Sequence, residues 1–208
     1  MLRMRALGPL FVVSALVAAA TSCGDVVREG RSPTFLVMDS LEGIAGGSAG
    51  TPSATLLSDV VTAATTPDPP CSVTNPCLST FDDFARASLR LVPKDLAFVP
   101  TTNNQVTITR YHVSFRRADG RNTPGVDVPF DFDGAVTTTL VQSAAGSVAF
   151  ELVRHSAKLE SPLIQLRNGS FISTIATVTF YGKDLVGNDI SVVGSLSVNF
   201  GNFADTVQ

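Results

Sequence analysis

Ile172-Ser-Thr-Ile-Ala-Thr-Val-Thr-Phe-Tyr181, Gly182-Lys-Asp-Leu-Val-Gly-Asn-Asp189 and Ile190-Ser-Val-Val-Gly-Ser-Leu-Ser-Val-Asn-Phe200 follow one another without a break. The outer runs are rich in β-branched and aromatic residues, which suit a pleated, half-buried surface. The middle run is a Gly-Asn-Asp turn, where glycine supplies positive φ and Asn or Asp side chains bond to nearby backbone. Together they predict a long β-hairpin.

Strand signals recur upstream of it. Phe84 to Val92 alternates, with Ala85, Ala87, Leu89 and Leu91 on one face and Arg86, Ser88 and Arg90 on the other, the period of a half-buried strand. Ser147 to Val153 does the same with Val148, Phe150 and Leu152, and Val126 to Phe132 and Val136 to Val141 are further strand candidates around the turn cluster Ala118 to Gly125. Val106 to Arg117 alternates in two phases, Val106 and Ile108 first, then Tyr111, Val113 and Phe115. An odd step would turn half the strand inside out, so a bulge is expected near Thr109-Arg110. Nearer the N-terminus, Thr34 to Met38 reads as a strand and Leu56 to Thr62 as one more, separated by loop compositions at Ala45 to Ser53 and Thr65 to Pro76. One short helix is expected after Ser161-Pro162, with Leu163, Ile164 and Leu166 as its apolar stripe and Gly169 to end it. It would cross between sheets.

Short strands with turn signals every 8 to 12 residues or so predict an all-β fold, an antiparallel β-sandwich over residues 34–205. Tyr181-Gly-Lys-Asp184-Leu-Val-Gly187-Asn188 resembles the last hairpin of fibronectin-type-III and bacterial immunoglobulin-like domains. The resemblance spans about 30 residues and implies an immunoglobulin-like sandwich, without implying an activity.

The first 22 residues carry a different message. Arg3 and Arg5 precede an uncharged run from Ala6 to Ala20, and small residues lead to Cys23, the layout of a secretory signal. The run is short of the roughly 20 residues that a transmembrane helix needs. Ala20-Thr-Ser-Cys23 resembles the lipobox of bacterial lipoproteins, although leucine is usual where Ala20 stands. That resemblance implies removal of residues 1–22, acylation of Cys23 and a spacer from 23 to 33. Gly24 after the cysteine, rather than aspartate, implies the outer membrane of the cell envelope.

Without Arg3 and Arg5 the mature chain has 13 Lys plus Arg against 18 Asp plus Glu, a balance opposed to nucleic-acid binding, which needs a basic face. Cys71 and Cys77 enclose a short loop in an oxidising compartment, and a disulfide between them is expected.

Candidate chemistry is sparse. Gly46-Gly-Ser48-Ala-Gly50 matches the nucleophile-elbow spacing, but that motif needs a strand-to-helix turn in a parallel sheet, and the surroundings read as loop. Asp127, Asp131 and Asp133, followed by Gly134, form an acid-rich turn with oxygen ligands for calcium, without the later bidentate glutamate. His112 should point away from the apolar face of its strand, and His155 stands near Arg154 and Glu160; two histidines in separate segments define no catalytic pair. Arg110, Arg116, Arg117 and Arg121 gather on one hairpin beside Asp119, where salt bridging is the expected role. No cofactor is implied. The function expected is a noncatalytic structural or interaction module, with the membrane as partner through the lipid and an envelope protein or polysaccharide as a further one. The rival is a carbohydrate-binding accessory or hydrolase working through loops at one end of the sandwich. It would expose Phe130, Phe132, Phe200 and Phe203.

Overall fold

The computed structural model describes residues 30–47, 50–66, 70–97 and 101–203. Residues 1–29, on which the expected leader, Cys23 and most of the expected spacer fall, and Ser48 lie outside them. The described chain is all-β, with short helical pieces only.

Its strands are β1 (Thr34–Ile44), β2 (Thr55–Asp59), β3 (Thr62–Ala64), β4 (Cys77–Ser79), β5 (Asp83–Pro93), β6 (Val106–Arg116), β7 (Phe132–Leu140), β8 (Gly146–Val153), β9 (Phe171–Asp184) and β10 (Asp189–Gly201). They form a three-stranded sheet in the order β1-β5-β8, a five-stranded sheet in the order β2-β10-β9-β6-β7, and the small pair β3-β4. Both larger sheets turn apolar side chains into one cluster. Ala85, Ala87 and Leu89 of β5 are fully buried, as are Val106, Ile108 and Val113 of β6 and Ala176, Val178 and Phe180 of β9. Phe150 on β8 is the aromatic bridge between the sheets, its ring 4.9 Å from Tyr111 and 5.1 Å from Phe180, within the range of favourable ring contacts. Gly134 on β7 lies directly against that cluster. A Cβ there would stand 2.2 Å from the Tyr111 ring, so only glycine lets the strand lie this close.

The closing hairpin is the expected one. β9 and β10 pair antiparallel from Asp189 opposite Lys183 to Gly201 opposite Phe171. The Asp184 carboxylate accepts the backbone N–H groups of Val186 and Asn188 and the Asn188 side-chain amide, and Gly187 adopts φ +86°. The bulge in β6 also lies where the two apolar phases require it: its pairings with β7 and β9 both slip between Ile108 and Arg110, and Tyr111, Val113 and Phe115 stay buried.

Other expectations need correction. Leu56 to Thr62 is two strands, not one. β2 leaves the five-stranded sheet at Asp59, and β3 joins β4. Val60 and Val61 are consecutive and both buried, which an alternating strand cannot achieve, so the chain turns there. β2 also runs parallel to β10, an exception in otherwise antiparallel sheets. Val126 to Asp131 is loop. Gly125 has φ +75°, and the N–H groups of Val126, Asp127 and Val128 all point to the Thr123 carbonyl, a compact turn that folds Val128 into the core instead of extending it. β1 runs on to Ile44 past a register shift between Met38 and Ser40, which breaks the period that marks its first half.

Between β8 and β9 the chain crosses from one sheet to the other through two helical turns. The first, α1, is His155–Lys158, and the second is a 3₁₀ turn, Leu163–Asn168, without a side-chain cap from Ser161. Three residues per turn align Leu163 with Leu166, both buried, and leave Ile164 40% exposed. Gly169 ends the turn at φ +90°.

Candidate functional site

The strands give the domain two ends. One gathers the start of β5, the end of β8, α1 and the β1–β2 loop; the other gathers the start of β1, the end of β5 and the β9–β10 turn.

At the first end a charge is sealed inside. β5 begins in phase with its buried face, so Asp83 points inward with Ala85 and Ala87, and is 1% exposed. Its carboxylate accepts the Gly46 N–H at 2.8 Å and the Ser58 hydroxyl at 2.6 Å. The Lys158 ammonium, also 1% exposed, closes the set at 2.9 Å. An unpaired ion in such surroundings would cost several kcal/mol, and here every partner is supplied by a different segment. Gly46 belongs to this joint because a Cβ there would lie 2.0 Å from the Asp82 carbonyl.

Outside the seal lies a second group of charges. Asp82 accepts the His155 backbone N–H, and its carboxylate is 3.0 Å from His155 Nδ1. Burial works against ionisation of Asp82, but the bonds from the His155 amide, from Glu151 and from the His155 ring outweigh it and hold its pKa below the ordinary value. Glu151 goes the other way, raised first by burial and then by the Asp82 carboxylate beside it. The two carboxyl groups therefore share protons unequally, Asp82 ionised first. Burial, and then the Glu151 charge, also raises the pKa of Tyr111. Arg154 stands 3.7 Å from Glu151, lies 3.9 Å over the Phe132 ring and donates to the Asp133 carbonyl. A hollow of about 240 Å³ opens next to it, lined by Phe130, Asp131, Phe132, Arg154 and Glu160 among others. Asp82 and Glu151 are not among its lining residues.

The opposite end carries an open groove of about 740 Å³. Gly30, Thr34 and Phe35 bound it on the β1 side, Lys94 beyond β5, and Arg110, Tyr181, Lys183 and Asp189 on the five-stranded sheet. Arg110, freed outward by the bulge, lies 4.1 Å over the Tyr181 ring, and Lys94 stands 5.0 Å from the Phe35 ring. Lys183 pairs with Asp189 at 2.6 Å.

The residues singled out from sequence fall in several places. Cys71 and Cys77 form a disulfide. Asp127 accepts the Thr123 N–H, whereas Asp133 pairs with Arg110 at 3.1 Å and lies 3.4 Å from His112. Among the described residues no group of three or more His, Cys, Asp or Glu is arranged to hold a metal. Arg117 and Arg121 both engage Asp119, and the bond from Arg117 comes first among the causes that lower its pKa to about 2. Of the four phenylalanines proposed for a sugar-binding row, Phe200 is fully buried, 5.6 Å from Phe115, and Phe132 is covered by Arg154. Phe130 is 58% exposed. The sealed Asp83–Lys158 pair had one sequence clue, the phase of Asp83 with the alanines of β5. Lys158 had none.

No family model and no curated protein matches the chain. Among the described residues no helix is long and apolar enough to cross a membrane.

Proposed function

We propose that the chain is a lipid-anchored protein of the cell envelope, held at the outer membrane through Cys23, whose immunoglobulin-like β-sandwich is a noncatalytic structural or interaction module. The strand order supports the fold assignment. β1, β5 and β8 take the places of strands A, B and E, and β10, β9, β6 and β7 those of G, F, C and C′ in such sandwiches.

The observation that carries the functional reading is the separation of the two ends. Gly30, seven positions after Cys23, is on the groove at one end. The Arg154 and Phe130 surface lies beside α1 at the end of β8, roughly a strand's length from Gly30 across β1, β5 and β8, although Arg110 on the far wall of the groove reaches toward it through its pair with Asp133. A domain tethered at one end leaves the other free for a partner, and exposed aromatic and arginine side chains are what contact surfaces favour. The acids Asp82 and Glu151 stand apart from the hollow beside them, an arrangement suited to ordering α1 rather than to attacking a bound substrate.

The test is a photocrosslinking residue at position 130 in the lipidated protein in intact envelopes, with position 193 on the outer sheet face as control. An envelope protein or polysaccharide crosslinked from 130 and not from 193 supports the reading. Equal labelling from both positions counts against it. Fatty-acid labelling that is present on the parent and lost in Cys23→Ser tests the anchor.

A further inference from the structure

Resting on the reading of Cys23 as lipid-bearing, we propose that the end of the domain where the chain begins its fold is seated in the phospholipid surface, with Leu96, Leu185 and Val186 inserted at the headgroup level.

The geometry begins with the start of the fold. The Gly30 carbonyl accepts the Lys94 ammonium at 2.7 Å, and the Lys94 N–H donates to the Pro33 carbonyl. The start of the fold is thereby tied to the loop that follows β5. Gly30, Lys94, Lys183 and Asp189 line one groove, so this loop and the β9–β10 turn share an end with the incoming chain.

Those two loops carry large apolar side chains into water. Leu96 is 91% exposed, Val186 68% and Leu185 57%. Side-chain bonds hold the described residues of both loops. The Asp95 carboxylate accepts the Ala97 N–H, and Asp184 holds the turn that presents Leu185 and Val186. Apolar side chains this exposed mark an interaction surface.

Chain length decides what covers them. Seven residues reach at most about 25 Å when fully extended, less than the length of the strands. With its acyl chains in the bilayer, Cys23 keeps this end at the membrane and leaves the Phe130 end out of reach. Lys94, Arg110, Lys183 and Asp189 line the groove, exposed Arg31 and Asp95 adjoin it in sequence, and Arg110 is already paired with Asp133. Cations and acids nearly balance, so apolar insertion rather than net charge holds the end down, and the contact is insensitive to salt.

The chain contains no tryptophan, which makes a single introduced one an unambiguous reporter. Val186→Trp and Phe130→Trp are each placed in the lipidated protein and reconstituted into phosphatidylethanolamine–phosphatidylglycerol vesicles with brominated acyl chains. Quenching at 186 is expected to exceed that at 130 by roughly threefold or more and to persist in about 1 M salt, as insertion at the acyl boundary requires. Leu96→Trp, at the most exposed of the three sites, is the second reporter should position 186 disturb the turn. Protein that sediments with the vesicles but is equally unquenched at all three positions overturns the docking and leaves the anchor standing. Quenching that disappears in high salt also overturns it, in favour of charge attraction. Protein that fails to sediment overturns the anchor and the docking together.

Discussion

The two ends of this domain close the same core with opposite chemistry. At the α1 end, one carboxylate draws together β5, β2, the β1–β2 loop and α1, and the ion pair is taken wholly out of water. At the groove end, Asp184 is also buried, but its bonds stay within a single turn, and the apolar side chains of that turn remain in solvent. Similar side chains thus produce a joint between distant segments in one place and a local brace in the other. Long-range partners make the first end costly to disturb. Local ones let the second carry exposed residues without loss of order.

The largest effect should come from breaking the joint. Asp83→Ala leaves Lys158 buried without its counter-ion and is expected to cost about 3–5 kcal/mol in urea unfolding. Asp184→Ala, which removes local bonds, should cost only about 1–2 kcal/mol. A larger loss at 184 than at 83 would invert the comparison. Asp83→Leu combined with Lys158→Met should recover the part of that loss owed to the uncompensated ammonium, because an apolar pair needs no counter-ion. The part owed to the Gly46 N–H and the Ser58 hydroxyl should not return, since these stay without their acceptor.

The Cys71–Cys77 bridge closes a ring with a sequence separation of 6. Replacing both cysteines by alanine should lower stability by at most about 2 kcal/mol, since so short a loop has little closure entropy to lose. Hydrogen exchange is expected to quicken around residues 71–79 and to stay unchanged in β9 and β10. Faster exchange throughout the sheets would make the bridge part of the joint.

Glu151 sharpens the picture through pH. Its raised pKa means that the folded state binds the proton more tightly than the unfolded one, so ionisation of Glu151 works against folding once the pH rises past its ordinary value of 4.5. Glu151→Gln should therefore be no less stable than the parent at pH 7, with any advantage fading as the pH falls below about 4. Melting temperatures across that range check the sign. Asp82, shifted downward, has the opposite sign: its contribution is present at neutral pH and is lost on acidification.

The smallest effect concerns Asp119. Its pKa of about 2 is owed first to the bond from Arg117, and Arg117→Ala should move the titration seen by NMR upward toward 3.8, with stability little changed because the group is at the surface.

Much of the sheet architecture was legible because two-residue periodicity reports burial directly. β5, β8 and the closing hairpin follow it, and the broken phase of β6 coincides with its bulge. Illegible segments were those whose burial comes from turns. Val128 enters the core through a compact loop and Val60-Val61 through a change of sheet, and in neither does alternation apply. Of the candidate site, the disulfide and the Arg117–Asp119–Arg121 group were readable from neighbouring residues. The Asp83–Lys158 joint was not, since its members are far apart in sequence and a buried lysine resembles any other lysine until its partner is known.

Gly46, Ser58 and Asp83 all precede Lys158 in the chain. A polypeptide emerging from its N-terminus thus displays the carboxylate, with its amide and hydroxyl donors, well before the neutralising amine is available. Until β8 and α1 arrive, that carboxylate must keep its water, and the first strands cannot close over it dry. Commitment to the native state is thereby deferred until most of the chain is free. Such non-local closure favours slow, late assembly over stepwise folding of an early fragment.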